Sequence, residues 1–507
     1  MTRVRDVALH AVVLFAAAFV MALAFPRTDW SLTPWFALAP LLAVATIRAP
    51  RTAFFWGWAS GTVFFLVLLR WLQFTFRVYS EIPWPLVYGP VLLLAAYCGF
   101  WTGAVAWLVS WVSERRSAAL ALAMAPFFWV AGEWLRGHLF GGFPWGTLGY
   151  SQYLQLRVIQ IAELTGVAGV SFLLLAVNAA LAAGVVLRWP GAVTGLAAAG
   201  VLLGGTLAFG SVRLGEPMPT TAMARVAIIQ PSIEQPVKWE PRHTIQTLEI
   251  YFALLRQVGE QHPQLIVWPE TAAPTILRRD PALIERFRSA SAERGAPMLV
   301  GSIDEVDGRF RNTAFLITDQ GIVGRYDKIQ LVPFGEFLPL SGVLGFVRGW
   351  AQFIAELEAG SRAVVFKTPP APFGVVICYE GIFPDLFRQF VKDGALLMVN
   401  MTNDGWFGRT SGPEQHLSMY PFRAVEHRVS IVRAANTGVS AFITPNGMIV
   451  RRLNLFERGV MTESVPLRTR HTLFTRIGDW LGLLSLAVTT TVGAGTWRRA
   501  AATTGSV

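Results

Sequence analysis

The sequence predicts a chain in two parts, a polytopic α-helical membrane bundle of about eight transmembrane helices and a mixed α/β sandwich domain inserted before the last of them. Three observations predict it. Of 507 residues 53% are hydrophobic and only 15% charged, and the mean hydropathy is +0.46, too apolar for a soluble protein of this length. Apolar runs long enough to cross a bilayer crowd into roughly the first 210 residues and the last 35. From Met223 onward, short β-branched runs instead alternate with amphipathic ones, as in an ordinary α/β domain with its own core.

The long runs cover roughly residues 8–25, 31–47, 53–75, 86–112, 117–134, 159–187, 191–211 and 473–495, each near the ~20 residues that span a bilayer core. Arg3 and Arg5 precede the first run in the manner of a signal peptide, but further apolar runs follow at once, so it is expected as a retained helix. With eight spans, Arg3, Arg5, Arg48, Arg51, Arg115, Arg116, Arg188, Arg498 and Arg499 fall on one side, which is expected to be cytoplasmic. The expected division is residues 1–215 for transmembrane helices 1–7, 222–466 for an extracytoplasmic catalytic domain, 470–497 for helix 8 and 498–507 for a cytoplasmic tail. Trp30, Trp35, Trp84 and Trp350 near run ends fit an interface belt. The net charge of +11 gathers at segment ends without a basic-aromatic stripe, which argues for anionic lipid headgroups and against nucleic acid.

Inside the domain, strands are expected at Arg225 to Gln230, Leu265 to Trp268, Met298 to Gly301, Ala314 to Thr318, Phe373 to Cys378, Leu397 to Asn400 and Ser440 to Thr444. Helices are expected at Thr244 to Glu260 and Pro281 to Arg294. Catalytic groups are sought where such strands end.

Cys378 ends one of these runs, Glu270 lies just past another, and Lys328 precedes the segment that carries Glu336. A lone thiol at a strand end is ordinarily a small core residue. A carboxylate that takes its proton and a cation that favours thiolate and oxyanion turn it into a covalent acyl-transfer site. Cys98, the other cysteine, sits inside an apolar run and reads as a packing residue. The two thiols form no disulfide framework or CxxC pair, and His416 and His427 are too far apart for a local metal pair, so no metal or other cofactor is expected. Glu133, near the end of the fifth run, is expected to pair with Arg136 one turn on, because an ionised group in lipid needs a partner.

Trp268-Pro269-Glu270, Tyr326-Asp327-Lys328 and Cys378-Tyr379-Glu380 resemble the Glu-Lys-Cys pattern of the nitrilase (carbon-nitrogen hydrolase) superfamily, in its order. Seven spans, such a domain and a final span resemble its membrane-embedded branch, the apolipoprotein N-acyltransferase family. Further stretches carry the same resemblance: Glu133 to Gly137, Phe143-Pro144-Trp145, Gly149 to Gln152, Gln230-Pro231-Ser232, Leu331 to Phe337 and Asn403 to Gly408. The resemblance implies a nitrilase-like αββα sandwich and a site in the bacterial inner membrane with the catalytic domain on the periplasmic side. It implies Glu270 as general base, Cys378 as acyl-accepting nucleophile and Lys328 as stabiliser of the tetrahedral intermediate, joined by the backbone N–H of Tyr379. It points to Glu336 as active-site support, and to Trp239 and Glu380 as contacts for substrate or a mobile loop.

The implied activity takes an acyl chain from a phospholipid donor onto Cys378 and passes it to the N-terminal amine of a diacylglyceryl-modified lipoprotein acceptor, with ping-pong kinetics and a monomeric enzyme. Moving a chain of about 15 methylenes into water costs roughly 12 kcal/mol at ~0.8 kcal/mol per CH₂, so such a site is expected to open to lipid, with the aromatic stretch Gly345 to Phe353 covering it. Two readings stand beside this one. A membrane-tethered amidase or nitrilase uses the same three residues with water as acceptor, and a transporter with an external sensing domain uses none of them, but its spans hold few groups suited to a midplane pathway.

Overall fold

The computed structural model describes residues 2–217, 222–238, 240–259, 261–339, 342, 356–468 and 470–504. Contacts divide the chain into two units: residues 1–73, 85–216 and 477–507 form one, and residues 74–84 and 217–476 the other.

The first unit is helical, with Thr2–Ala22, Ala39–Ile47, Pro50–Leu68, Tyr88–Arg115, Ala118–His138, Val167–Val186, Trp189–Gly215 and Trp480–Thr504. Each predicted apolar run therefore contains a helix, but the expected count of about eight spans is not reached by length and composition. Among the described residues four helices are long and apolar enough to cross a membrane, or five if Pro50–Leu68 and Leu72–Tyr79, bent by 59°, are one span. The shortfall has local causes. The run at 31–47 is interrupted by a 3₁₀ turn, Thr33–Trp35, so its α-helix has only 9 residues. The run at 53–75 bends beside Arg70, the charge within it. The run at 159–187 also breaks at Gly166, whose φ of +65° ends the short turn Ala162–Thr165, yet Val167–Val186 beyond it is still long and apolar enough to span.

Non-helical backbone in an apolar bundle needs polar partners, and side chains on neighbouring helices supply them. Asn178 is fully buried; its Oδ1 accepts from the N–H of Leu38 and Ala39 at 2.8 and 2.9 Å, and its Nδ2 donates to Pro34 O at 2.7 Å. The expected Glu133–Arg136 pairing takes a different form. Glu133 Oε1 accepts from Leu148 N at 2.7 Å, while Arg136 Nη1 donates to the carbonyls of Phe143 and Trp145 at 2.8 and 2.5 Å. Both side chains thus fasten the irregular segment after their own helix. Cys98 is buried in Tyr88–Arg115. That helix packs closely on Pro50–Leu68 through small residues: a Cβ on Gly61 would stand 2.7 Å from Thr102 Cβ, and one on Gly99 2.5 Å from Thr62 N.

The second unit holds two sheets. Its strands are β1 (Met223–Gln230), β2 (Leu265–Val267), β3 (Ala273–Ile276), β4 (Met298–Val306), β5 (Arg309–Thr318), β6 (Gly321–Asp327), β7 (Val365–Phe366), β8 (Phe373–Ile377), β9 (Leu397–Thr402), β10 (Ser430–Ala435), β11 (Ser440–Ile443), β12 (Ile449–Leu453) and β13 (Gly459–Pro466). One sheet runs β13-β1-β2-β4-β5-β6 with β3 beside β4, the other β12-β11-β10-β9-β8-β7. Alternation sorts the first sheet's two faces. Val226, Ile228, Leu265, Val267, Leu299, Ala314 and Leu316 join Val375, Ile377, Val399 and Phe442 of the second sheet in one core. Ala227, Ile229, Ile266, Met298, Val300 and Phe315 face the other way, against Leu248, Phe252 and Phe287 of the helices Thr244–Gln257 and Pro281–Arg294. Helices Pro384–Lys392 and Tyr420–His427 send Phe387, Phe390, Tyr420 and Ala424 into the core shared with the second sheet. This is an αββα sandwich.

Candidate active site

Three strand ends deliver the chemistry. β2 is anchored by Trp268, whose ring stacks on Tyr251 at 4.8 Å, and Pro269, with no N–H to continue a ladder, releases the chain into Glu270. The turn lies so close to β4 that a Cβ on Gly301 would meet Pro269 O at 2.5 Å and Thr271 N at 2.6 Å. β6 ends at Asp327, and Lys328 N donates to Asn312 O at 2.8 Å, which leaves its side chain 1% exposed. β8 ends at Ile377; Cys378 follows with φ +51° and opens the 3₁₀ turn Cys378–Ile382. A left-handed conformation at a residue with a Cβ is a strained feature that the surroundings must enforce.

The charged groups converge. Lys328 Nζ lies 2.8 Å from Glu336 Oε1 and Oε2 and 3.6 Å from Glu270 Oε1. Asn312 Nδ2 bridges the two carboxylates, donating to Glu270 at 2.7 Å and to Glu336 at 3.2 Å. The second Glu270 oxygen accepts from Asn403 N at 2.8 Å, and the second Glu336 oxygen from Val332 N at 2.9 Å. Parallel pairing of Ile377 with Met401 sets Cys378 alongside Thr402. Glu270, Lys328, Glu336 and Cys378 therefore share one buried corner. Asn312 and Asn403 complete it; Asn403 opens the stretch Asn403 to Gly408 noted in the sequence, whereas nothing in the sequence distinguishes Asn312 from any strand polar residue.

The electrostatics differ from expectation at the thiol. Burial disfavours charge on Lys328, but Glu336, Glu270 and Cys378 outweigh it and hold its pKa above the usual lysine value. Burial pushes the Glu270 carboxyl up, against the Lys328 cation. Burial, and then the Glu270 charge, push the Cys378 thiol up, and Lys328 offsets this only in part. Lys328 favours the thiolate, as expected, but burial and the Glu270 charge outweigh it and hold the thiol's pKa above its ordinary value.

Glu380 is fully buried. Its Oε1 accepts from Tyr326 OH, Ile329 N and Gln330 N at 2.7, 2.6 and 3.1 Å, and its Oε2 from Ile377 N at 2.6 Å. It laces the lysine strand to the cysteine strand. Burial raises its pKa to about 7, with the Ile377 N–H and Lys328 opposing the rise. Tyr379 is half-buried, its ring edge-on to Phe383 at 5.0 Å. Trp239 and the stretch Gly345 to Phe353 lie outside the described residues.

Behind the cysteine sits a second buried network that sequence reading missed. Asp404 lies 2.6 Å from Arg433 and 3.0 Å from His416, and Tyr420 OH donates to Cys378 O at 3.3 Å. Burial raises the Asp404 pKa, but Arg433 and His416 prevail and hold it below the ordinary range. These contacts fix the backbone on which the thiol is presented.

Residues 17–180 match the apolipoprotein N-acyltransferase N-terminal domain and residues 225–472 the carbon-nitrogen hydrolase family. The chain is 38% identical to an apolipoprotein N-acyltransferase of Geobacter metallireducens over 95% of its own length and 94% of the relative's. It is 34% identical to the one from Sinorhizobium medicae (94% and 91% covered) and 33% identical to the one from Gloeobacter violaceus (92% and 90%). A carbon-nitrogen hydrolase sandwich joined to that N-terminal domain, with identity running through both, makes the chain a member of the apolipoprotein N-acyltransferase family.

Proposed function

We propose that this N-acyltransferase moves a fatty acyl chain from a membrane phospholipid to the N-terminal amine of the diacylglyceryl-cysteine of apolipoproteins, the last step of lipoprotein maturation, through a thioester on Cys378. The observation that carries the reading is the buried corner in which Glu270, Lys328 and Glu336 meet beside a thiol on a strained turn. Glu270 takes the thiol proton as Sγ bonds to the ester carbonyl carbon, and Lys328, with the N–H of Tyr379, stabilises the oxyanion. The ester C–O bond then breaks and the leaving lysophospholipid oxygen recovers the proton from Glu270. In the second half the lipoprotein amine attacks the thioester carbonyl, gives a proton to Glu270, and the C–S bond breaks as the thiol is restored. Glu336 holds Lys328 in place throughout.

The reading includes eight spans in a bacterial inner membrane, the catalytic domain on the periplasmic side and a monomeric enzyme; the loop arginines support the orientation, and the four or five span-length apolar helices among the described residues support the membrane location. The match to carbon-nitrogen hydrolases favours a second reading, in which water is the acceptor.

Mass spectrometry of the purified enzyme after incubation with labelled phospholipid tests both. An acyl mass is expected on Cys378 of the wild type and of Cys98→Ala, and none on Cys378→Ala. Added lipoprotein should then carry the label. Acyl mass persisting on Cys378→Ala rejects the nucleophile, and release of free fatty acid in place of acylated lipoprotein selects the hydrolase.

A further inference from the structure

The catalytic corner contains a second lysine that the proposed mechanism does not use. Lys238, at the end of the turn Gln235–Lys238, is 1% exposed. Its Nζ donates to the Glu270 carbonyl at 2.9 Å and to Thr271 Oγ1 at 2.7 Å. Thr271 has φ +47°, so this ammonium grips the strained peptide immediately after the base. The same short segment reaches the carboxylate from its other side: Asn403 Nδ2 donates to Gln235 Oε1 at 2.5 Å, and Asn403 N to Glu270 Oε2.

We propose that Lys238 is a positioning residue for the general base, fixing the Glu270–Thr271 peptide so that the carboxylate faces Cys378 and supplying the corner with a second positive charge. The proposal rests on the reading of Glu270 as the base. Glu270 is buried and Glu336 partly so, and Lys328 alone leaves the two carboxylates one charge short of neutrality. A carboxylate in a low-dielectric site with excess negative charge takes up a proton, and a protonated Glu270 cannot accept one from the thiol. Lys238 restores the balance: Glu270 is the charged group that acts on it, and its own charge lowers the Glu270 pKa. Glu336 acts on the base with the opposite sign and Lys328 with the same sign; Asp404 acts on the thiol, while Arg433 and His416 hold its charge. Burial lowers the Lys238 pKa to about 7, against the pull of Glu270, so this second charge is lost as pH rises past neutrality.

The test uses the full-length enzyme with mixed phosphatidylethanolamine and phosphatidylglycerol vesicles carrying labelled acyl chains, and reads the rate of acyl-enzyme formation against pH. Lys238→Met is expected to slow acylation about tenfold or more, leaving the half-saturating lipid concentration unchanged. The acidic limb of the profile should move to higher pH by about one unit, because Glu270 has lost a cation that lowered its pKa. Ammonium or methylamine added to Lys238→Ala should restore part of the rate. An unchanged rate and limb in a folded Lys238→Met overturn the proposal, as does a slower enzyme with an unmoved limb, no amine rescue and a lowered thermal midpoint, the signature of a merely structural lysine. If Lys238→Met does not fold, Thr271→Val, which removes an acceptor of the Lys238 ammonium, should slow acylation in the same sense, and an unchanged rate there overturns it equally. A wild-type enzyme that forms no acyl-enzyme rejects the thioester reading instead, so the two failures are distinguishable.

Discussion

At the scale of single residues, one lysine is divided among three acidic groups. Lys328, held by Glu336 and Glu270, lowers the Cys378 pKa less than burial and Glu270 raise it. Alkylation of Cys378 by iodoacetamide should therefore be slow near pH 7 and climb as pH rises toward and past about 9, the range of an unperturbed thiol. Lys328→Met, lacking the cation that favours the thiolate, should be slower still at each pH. A rate that is already maximal near pH 6 contradicts this. Glu380 makes a different demand, since its carboxylate accepts from three backbone N–H groups and from the Tyr326 hydroxyl. Glu380→Gln sets an amide N–H₂ against one of them and should cost about 1–3 kcal/mol, read as a lower thermal midpoint together with weaker acylation.

At the scale of elements, the helical unit depends on close backbone approach and the sandwich on strand ends. Gly61 and Gly99 leave no room for a Cβ where Pro50–Leu68 crosses Tyr88–Arg115. Gly61→Val should destabilise the enzyme by about 1–3 kcal/mol through overpacking, measured as a lower midpoint in detergent, whereas Gly89→Ala, with nothing within 4 Å of the added Cβ, should leave it unchanged. In the catalytic unit, Leu72–Tyr79 contributes Tyr79, whose ring meets Trp406 at 4.8 Å and whose hydroxyl donates to Gly405 O at 3.2 Å, while Thr75 Oγ1 donates to Trp406 O at 2.8 Å. These contacts brace the loop whose first residue, Asn403, holds the Glu270 carboxylate. Tyr79→Ala should lower the acylation rate more than it lowers the thermal midpoint; the reverse pattern assigns Tyr79 to packing alone.

At the scale of the whole molecule, the loop arginines and the exposed β4–β5 turn at Gly308 make the proposed topology testable. A reporter that works only outside the cytoplasm should be active when fused at Gly308, and a cytoplasmic signal there would refute the eight-span arrangement.

The sequence by itself determined the two-part organisation, because apolar run length and β-branched alternation are local quantities. It marked β1, β2, β4, β5, β8, β9 and β11 for the same reason, and missed β3, β6, β7, β10, β12 and β13; in the last three, Arg433, Arg451-Arg452 and Thr462-Glu463-Ser464 interrupt the apolar pattern. It singled out Glu270, Lys328 and Cys378 because each follows a strand with a motif attached. Only the tertiary structure decided how these groups act on one another. Lys238 and Asn312 carry no local mark, and their meeting with Glu270 at 32 and 42 residues' separation depends on which strands pair. The upward shift of the Cys378 pKa comes in turn from its burial and from the Glu270 charge against that of Lys328, which belong to the assembled corner and to no stretch of chain alone.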